Sequence, residues 1–251
     1  MVVNDGRYVY CILEAAKIQN LGNIGLFDND VYTIIHKDIE AVISKAPFKQ
    51  MNPDADNIIA HQRVVEASRN IGTTLPIRFG IMFKSDDAVK KLLIKSYKEF
   101  KSKINKLGAK DEFGLKILID KPDMRKLELL IQDSSDEIKK LKKEIVTSGK
   151  GATYFLKMRM DEAIKNETFR KIDQFSGEIH HELSKIAEES CLLKADLEQI
   201  LLNAAYLINK NDRERFNLKL EKLEERYKEY GLIFHRSGPW APYSFCGRDN
   251  I

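Results

Sequence analysis

The 251-residue sequence lacks the short motifs by which many enzymes can be recognised. It has no glycine-rich dinucleotide or phosphate loop, no His-Glu-x-x-His zinc pattern and no Gly-x-Ser-x-Gly nucleophile turn. Gly149-Lys150-Gly151 lacks the remainder of a phosphate-binding loop, so we interpret it as a turn. These absences predict a protein that is not an enzyme and that binds no cofactor.

Cysteine is scarce, and Cys11, Cys191 and Cys246 are odd in number and far apart. No Cys-x-x-Cys pair occurs, which argues against a zinc ribbon or a disulfide framework, so we expect three reduced thiols. His180 and His181 are neighbours, and adjacent side chains point in different directions on a helix, so they would chelate a metal poorly. We therefore predict no metal site.

Long apolar runs and an excess of one charge are also missing. No uninterrupted apolar stretch approaches the ~20 residues of a membrane-spanning helix. The apolar run from Tyr8 to Leu13 follows Asp5 and Arg7 and stops at Glu14, which does not fit a signal peptide. The 42 basic and 38 acidic residues nearly balance, which argues against nucleic acid binding through a strong positive field. We expect a cytoplasmic protein that binds neither nucleic acid nor a lipid membrane.

The sequence does contain enough apolar residues, 43% of the total, to bury a sizeable core. Apolar runs and alternating patterns predict the strands. These are residues 8–13, 31–35, 39–43, 74–83, 113–119, 200–208 and 232–235. The polar turn at residues 36–38 predicts that the second and third of these strands form a hairpin. Asn52-Pro53 predicts the start of one helix, and Ser85 predicts the start of another whose apolar stripe continues to Leu107.

The middle of the chain predicts long helices. One apolar stripe runs from Leu127 to Ile145 and another from Ile172 to Ile186, with a glycine-containing turn at residues 147–151 between them. This pattern favours an antiparallel helical pair within the chain, while a dimeric coiled coil remains an alternative. The order of elements predicts an α+β protein with two modified ferredoxin-like units and the helical pair in the middle. We expect the domains to be residues 1–108 and 109–251.

Three segments carry a resemblance to a known family. They are His61–Glu66 (His-Gln-Arg-Val-Val-Glu), Pro76–Phe83 (Pro-Ile-Arg-Phe-Gly-Ile-Met-Phe) and Gly238–Phe245 (Gly-Pro-Trp-Ala-Pro-Tyr-Ser-Phe). Together they resemble the GvpL/GvpF family of gas vesicle proteins, with Ala241 at a position where the family pattern often has proline. Residues 151–156 and 203–207 resemble two further family segments in the expected order.

The resemblance implies an assembly or minor structural protein located at the gas vesicle. Its partners would be the main shell protein or other accessory vesicle proteins, and no catalytic residues come with the family. The residues that carry the motifs are the candidates for partner binding. They are His61, Arg63, Glu66, Arg78, Phe79, Gly80, Gly238, Pro239, Trp240, Pro242, Tyr243 and Phe245.

Physical roles can be proposed for some of these residues. Arg63, Glu66 and Arg78 would form an ion-pair network between a helix and the following strand. Gly80 would permit close approach of the backbone, and Gly238 a positive φ. The three aromatic side chains at residues 240–245 would either dock onto their own domain or anchor a partner.

His61 lies beside the apolar stripe of its helix, which favours a hydrogen-bonded histidine at the edge of the core over a general base. Two alternatives to a vesicle protein stay open at this point. One is an enzyme with an unrecognised site, which a deep pocket with strongly perturbed titratable groups would favour. The other is a coiled-coil adaptor unrelated to vesicles, which stable self-association through residues 127–145 would favour.

Overall fold

The computed structural model describes residues 5–14, 20–195, 197 and 199–247. Contacts between residues divide the chain into two compact units. The first unit contains the chain up to Glu112 together with the residues from Gly238 onward, and the second unit is Phe113–Ser237. Units defined by contacts need not be folding domains, so domains of 1–108 and 109–251 stay a prediction. The end of the chain, however, groups with the first unit, and its residues 248–251 lie outside the described part.

The first unit is a sheet covered by three helices. Its elements are β1 (Asp5–Glu14), β2 (Val31–His36), β3 (Ile39–Pro47), α1 (Ala55–Arg69), β4 (Thr74–Pro76), β5 (Met82–Phe83), α2 (Asp86–Lys95) and α3 (Tyr97–Leu107). The strand order is β2-β3-β1-β4, and β5 also pairs with β1. The predicted hairpin is confirmed, because His36 pairs with Ile39 across the turn at Lys37-Asp38.

β1 is the central strand, and it is buried on both faces, as its continuous apolar run predicts. Its register against β3 shifts between Val9 and Cys11, so Tyr10 is one extra residue in the strand. A bulge changes which side chains share a face. Tyr8, Tyr10 and Cys11 consequently contribute to the same core cluster, where Val64 and Val65 of α1 also pack.

The predicted strand at residues 74–83 is wrong in its middle. Only Thr74–Pro76 and Met82–Phe83 are strands, and both pair with β1. Gly80 turns the chain with a φ of +92°, a conformation that glycine adopts readily. The segment between them is therefore a turn on the edge of the sheet.

Two helix boundaries in this unit also differ from expectation. α1 begins at Ala55, because the Asp54 side chain accepts a hydrogen bond from the backbone N–H of Asn57 and caps the helix there. The helix that begins after Ser85 is capped by that serine as predicted. It is interrupted at Ser96, whose φ and ψ are not helical, so the single predicted stripe is shared by α2 and α3.

The second unit has a four-stranded sheet with the order β7-β8-β6-β9. Its elements are β6 (Lys110–Ile119), α4 (Lys121–Ser134), α5 (Asp136–Thr147), α6 (Lys150–Ser184), β7 (Glu189–Leu192), β8 (Ile200–Asn209), α7 (Arg213–Tyr227) and β9 (Leu232–Trp240). The ends of β6 and β9 extend into the first unit. In both sheets the first strand lies between the third and the fourth, and the second unit has the β-α-β-β-α-β element order of ferredoxin-like folds.

The predicted helical pair is present, and α6 packs against both α4 and α5. The predicted helix with the stripe from Leu127 to Ile145 is divided into α4 and α5. Ser135 leaves the helical conformation there, and its side chain caps α5 by accepting from the N–H of Ile138. The link between α5 and α6 is only Ser148 and Gly149, so the helices run in opposite directions. Their buried side chains join one core with the sheet of this unit.

The expected α+β class is confirmed, with two antiparallel sheets and a high helical content. Although α6 is 35 residues long, no helix in the described part of the chain is apolar enough over a sufficient length to cross a membrane. The charged residues along its exposed side are typical of a helix with one face packed and one face in water.

Candidate functional site

Residues from three sequence motifs, at 61–66, 76–83 and 238–245, meet around His61 in the first unit. The imidazole is buried, with 3% of the residue exposed. Its Nδ1 atom lies 2.9 Å from the Tyr8 hydroxyl, and its Nε2 atom lies 3.1 Å from the Tyr243 hydroxyl. In a neutral imidazole one nitrogen donates and the other accepts, so the two hydroxyls can satisfy both.

The turn at residues 77–81 closes one side of this cluster. The Phe79 ring packs edge-on against the rings of Tyr8 and His61, with centroids 5.9 and 5.8 Å apart. The backbone N–H of Gly80 donates to the Tyr8 hydroxyl at 3.0 Å. Gly80 is needed here for its positive φ, because the space where a Cβ atom would lie is open. The expected role in close backbone approach is therefore corrected to one in turning the chain.

Residues 238–247, here called the terminal segment, also contact this cluster. Ala241, Phe245 and Cys246 are buried, and the Tyr243 hydroxyl reaches His61 as described. The Cys246 thiol donates to the Pro242 carbonyl at 3.0 Å, which holds the segment in a compact turn. Gly238, at the start of the segment, has a φ of +106°, which favours glycine.

Trp240 differs from Tyr243 and Phe245, the other aromatic residues of the terminal segment, because 47% of its surface is exposed. Of the two alternatives from the sequence, docking describes Tyr243 and Phe245, and anchoring a partner stays a prediction for Trp240. Phe245 and Tyr243 dock onto their own unit, whereas Trp240 presents part of its indole to solvent. Tryptophan is among the residue types that contribute most to binding at protein interfaces.

A cavity of about 150 Å³ lies beside the indole, and we call it the tail cavity. Its lining includes Val65, Glu66, Glu112, Trp240, Ala241 and Tyr243. Glu112 accepts hydrogen bonds from the backbone N–H and the hydroxyl of Ser244, at 2.8 and 2.7 Å. Burial raises the pKa of its carboxyl above the ordinary value, and the two Ser244 donors offset part of that rise.

The ion pair that orders this region was missed by the sequence analysis. Arg69, at the end of α1, pairs with Glu66 at 2.5 Å and with Asp111, which is completely buried. Arg69 also reaches the Pro239 carbonyl, at 3.4 Å. The spacing of Glu66 and Arg69, three residues apart on a helix, is the one signal by which sequence could have found part of this network.

Arg63 and Arg78, the predicted partners of Glu66, are both exposed residues of the first unit. Arg63 is exposed and lines a depression with Asp28, Asp54 and Asp56. Arg78 is exposed at the turn between β4 and β5. Glu66 pairs with Arg69, which the sequence analysis did not predict, and the network of Arg63, Glu66 and Arg78 stays a prediction.

The chemistry of the His61 cluster is that of a packed core. Burial lowers the pKa of His61 to about 4 and raises the pKa values of Tyr8 and Tyr243. The imidazole is therefore neutral and the phenols keep their protons near neutral pH. Burial likewise raises the pKa of the Cys11 thiol to about 12, which leaves it protonated. None of these four groups is poised as a nucleophile or a base at neutral pH.

The second unit contains a partly buried histidine, His180, and several exposed apolar side chains. His180 lies with its Nδ1 atom 3.0 Å from the Tyr206 hydroxyl, so it joins the core of that unit. Tyr154, Phe155 and Met158 are exposed in the first turns of α6, and Val146 is exposed at the end of α5. All four residues lie near the turn between α5 and α6 in the sequence. Within the described ranges, no three His, Cys, Asp or Glu side chains group as a metal site would require.

Comparison with known proteins gives a consistent match along the chain. Residues 6–247 match the family described as "Gas vesicle synthesis protein GvpL/GvpF". Gas vesicle protein F of Nostoc sp. strain PCC 7120 is 25% identical over 248 residues, which cover 97% of this chain and 99% of that protein. Gas vesicle protein L of a Streptomyces species is 24% identical over 217 residues, which cover 84% and 76%.

A solved structure shares the fold. The crystal structure of the gas vesicle protein GvpF from Anabaena sp. PCC7120 matches with a TM-score of 0.82 at 22% identity, over 97% of this chain and 98% of that one. The match extends over both units described above. The fold expected from the order of elements is thus one that a gas vesicle protein is known to have.

Proposed function

The chain belongs to the gas vesicle synthesis protein GvpL/GvpF family, and on that basis we propose that it is an assembly or minor structural protein of gas vesicles. It binds the main shell protein or other accessory vesicle proteins, and it acts at the vesicle. The relatives that support this role carry both the F and the L names at nearly equal identity, so the proposal covers the role common to the two.

The observation that carries the binding part of the proposal is the division of the terminal segment. Tyr243 and Phe245 hold the segment against its own unit, and Trp240 keeps nearly half of its surface exposed. An aromatic side chain held in place loses little conformational freedom when a partner covers it, so most of its burial contributes to affinity. The exposed indole is therefore the centre of the proposed partner surface.

Binding is tested by co-purification of the tagged protein with each gas vesicle protein of the same cells. At least one should be recovered with the parent protein and lost with Trp240→Ala. Leu129→Ala is the matched control, because Leu129 is an exposed apolar residue of the second unit, and it should leave recovery unchanged. Recovery of no vesicle protein, in cells that form vesicles, would contradict the proposal.

A second experiment tests the role in assembly. A chain that stops after Ser237 lacks the terminal segment and should form no vesicles when it replaces the parent. Since that deletion also removes Tyr243 and Phe245 from the first unit, Trp240→Ala is examined beside it. Normal vesicles from the truncated chain would show that the segment is dispensable for function.

A further inference from the structure

We propose that the tail cavity receives an arginine side chain of a partner protein, with its guanidinium stacked on the indole of Trp240 and facing the carboxylates of Glu66 and Glu112. This inference rests on the proposed function, because it names the chemistry of the partner at the same surface. It adds a specific occupant and the residues that select it.

The size and lining of the cavity fit one long, planar side chain. The volume of about 150 Å³ is of the order of one large side chain and too small for a helix or a strand. Trp240 supplies an aromatic wall that is open to solvent, and Val65 and Ala241 supply apolar surface for a methylene chain. Arginine combines an apolar stem with a flat cation that stacks on indole, and lysine has no such plane.

The charge around the cavity favours a cation. Three carboxylates, those of Glu66, Asp111 and Glu112, lie in this region, and Arg69 is the guanidinium that pairs with the first two. Glu112 receives its hydrogen bonds from Ser244, whose donors are neutral. A carboxylate can accept about four hydrogen bonds, so Glu112 retains acceptor capacity toward a guanidinium.

The carboxylates of Glu66 and Glu112 differ in how far they are exposed to solvent. The Oε2 atom of Glu66 is engaged by Arg69, and its side chain remains 41% exposed. Glu112 is more enclosed and lies against the terminal segment through Ser244. A partly desolvated carboxylate gains more from a cation than one in water does, because the surrounding dielectric is lower. Glu112 is therefore the residue whose charge should matter more for binding.

The test uses the protein's single tryptophan as a reporter located in the cavity wall. The fluorescence of Trp240 is followed while the capped peptide acetyl-Gly-Arg-Gly-amide is added to the whole chain. The same peptide with citrulline serves as the uncharged isostere, and the peptide with lysine as the non-planar cation. We expect a saturable change with arginine, binding at least tenfold weaker with citrulline, and weaker binding with lysine.

Two variants connect the signal to the carboxylates. Glu112→Gln keeps an oxygen that can accept from Ser244, and it should weaken binding of the arginine peptide about tenfold or more. Glu162→Gln makes the same change of net charge on the exposed side of α6 and should bind like the parent. Equal binding of the arginine and citrulline peptides, equal binding of the lysine peptide, or an unaffected Glu112→Gln protein would each overturn the inference.

The result of the peptide-binding experiment can be distinguished from the result of the co-purification experiment that tests the proposed function. If vesicle proteins co-purify with the parent but the arginine peptide gives no saturable signal, the cavity has no such occupant and the proposed function stands. If the peptide binds as expected and no vesicle protein is recovered, the cavity assignment stands and the proposed function fails.

Discussion

The Nε2 atom of His61 lies 3.1 Å from the Tyr243 hydroxyl, although the two residues are 182 positions apart in the chain. The contact connects α1 with the terminal segment, and the Tyr8 hydroxyl on the other ring nitrogen connects α1 with the central strand. A neutral, buried histidine thus joins three parts of the first unit through directional bonds. Its partners contribute to stability because an unsatisfied buried polar group is costly.

Tyr243→Phe should destabilise the protein by about 1–3 kcal/mol, because it removes the hydroxyl and leaves one nitrogen of His61 without its partner in the core. The measurement is the free energy of unfolding from urea titration. Tyr154→Phe provides the control, since that phenol is 65% exposed and its loss should change stability little. Equal effects of the two substitutions would show that the bond contributes nothing measurable.

Protonation of His61 should make the stability of the protein depend on pH. The pKa of His61 is about 4 in the folded protein because of burial, below the ordinary value of 6.5 that applies when the chain is unfolded. Between these values the unfolded state binds the extra proton, so stability is full above about pH 6.5 and falls as the pH decreases toward 4. The difference amounts to roughly 3 kcal/mol.

Melting temperatures between pH 7 and pH 4 measure this effect. His61→Gln should be less stable at pH 7 and should show a flatter profile across the interval. His235→Gln removes an exposed histidine and should retain the parental profile. A parental slope in the His61→Gln protein would mean that other groups cause the loss of stability in acid.

Phe245→Ala and Trp240→Ala should differ in what they damage. Phe245 is 5% exposed, and its truncation should cost about 3–5 kcal/mol of stability, as for other large aromatic residues in cores. Trp240 buries only about half of its surface, so its truncation should cost less than that of Phe245 while partner recovery is lost. Urea titration measures the loss of stability, and co-purification measures the loss of partner recovery. A Trp240→Ala protein as unstable as Phe245→Ala would assign the indole to the core.

Arg69→Ala should be the most damaging arginine substitution in the first unit. It leaves the buried carboxylate of Asp111 without this cation, and breaking a buried pair typically costs about 3–5 kcal/mol. Arg63→Ala is the matched control, because Arg63 is exposed on the same helix and exposed pairs contribute about 0–1 kcal/mol. The expectation for Arg78, also exposed, is the same as for Arg63. Thermal denaturation of the three variants decides the order.

The sequence predicted the elements whose patterns are set by local chemistry. The buried run at Tyr8–Leu13, the hairpin turn after His36 and the serine cap at residue 85 all depend on neighbours in the chain, and all are present. The errors come from interruptions within a correct pattern. An apolar stripe continues across Ser96 and across Ser135, so periodicity alone does not reveal that each serine ends one helix and begins another.

The candidate site was harder to predict because its contacts are distant in sequence. The motifs containing His61, Phe79 and Tyr243 were each recognised, but nothing in their spacing indicates that the rings share one cluster. β7 was missed altogether, since Glu189–Leu192 is a four-residue strand with no clear alternation. Arg69 and Asp111 are 42 residues apart in the chain, so only the fold reveals that they form a pair.

The grouping of the terminal segment with the first unit has a consequence for the order of events during translation. The ribosome produces residues 5–112 early, yet Ala241, Tyr243 and Phe245 are added only after the whole second unit has been made. Until then, His61 and the apolar surface that the terminal segment covers remain exposed in the nascent first unit. Partly folded intermediates of larger proteins expose apolar surface in the same way. Because Trp240 is added together with these residues, the proposed partner surface is completed no earlier than the core of the first unit, and an incomplete chain lacks it.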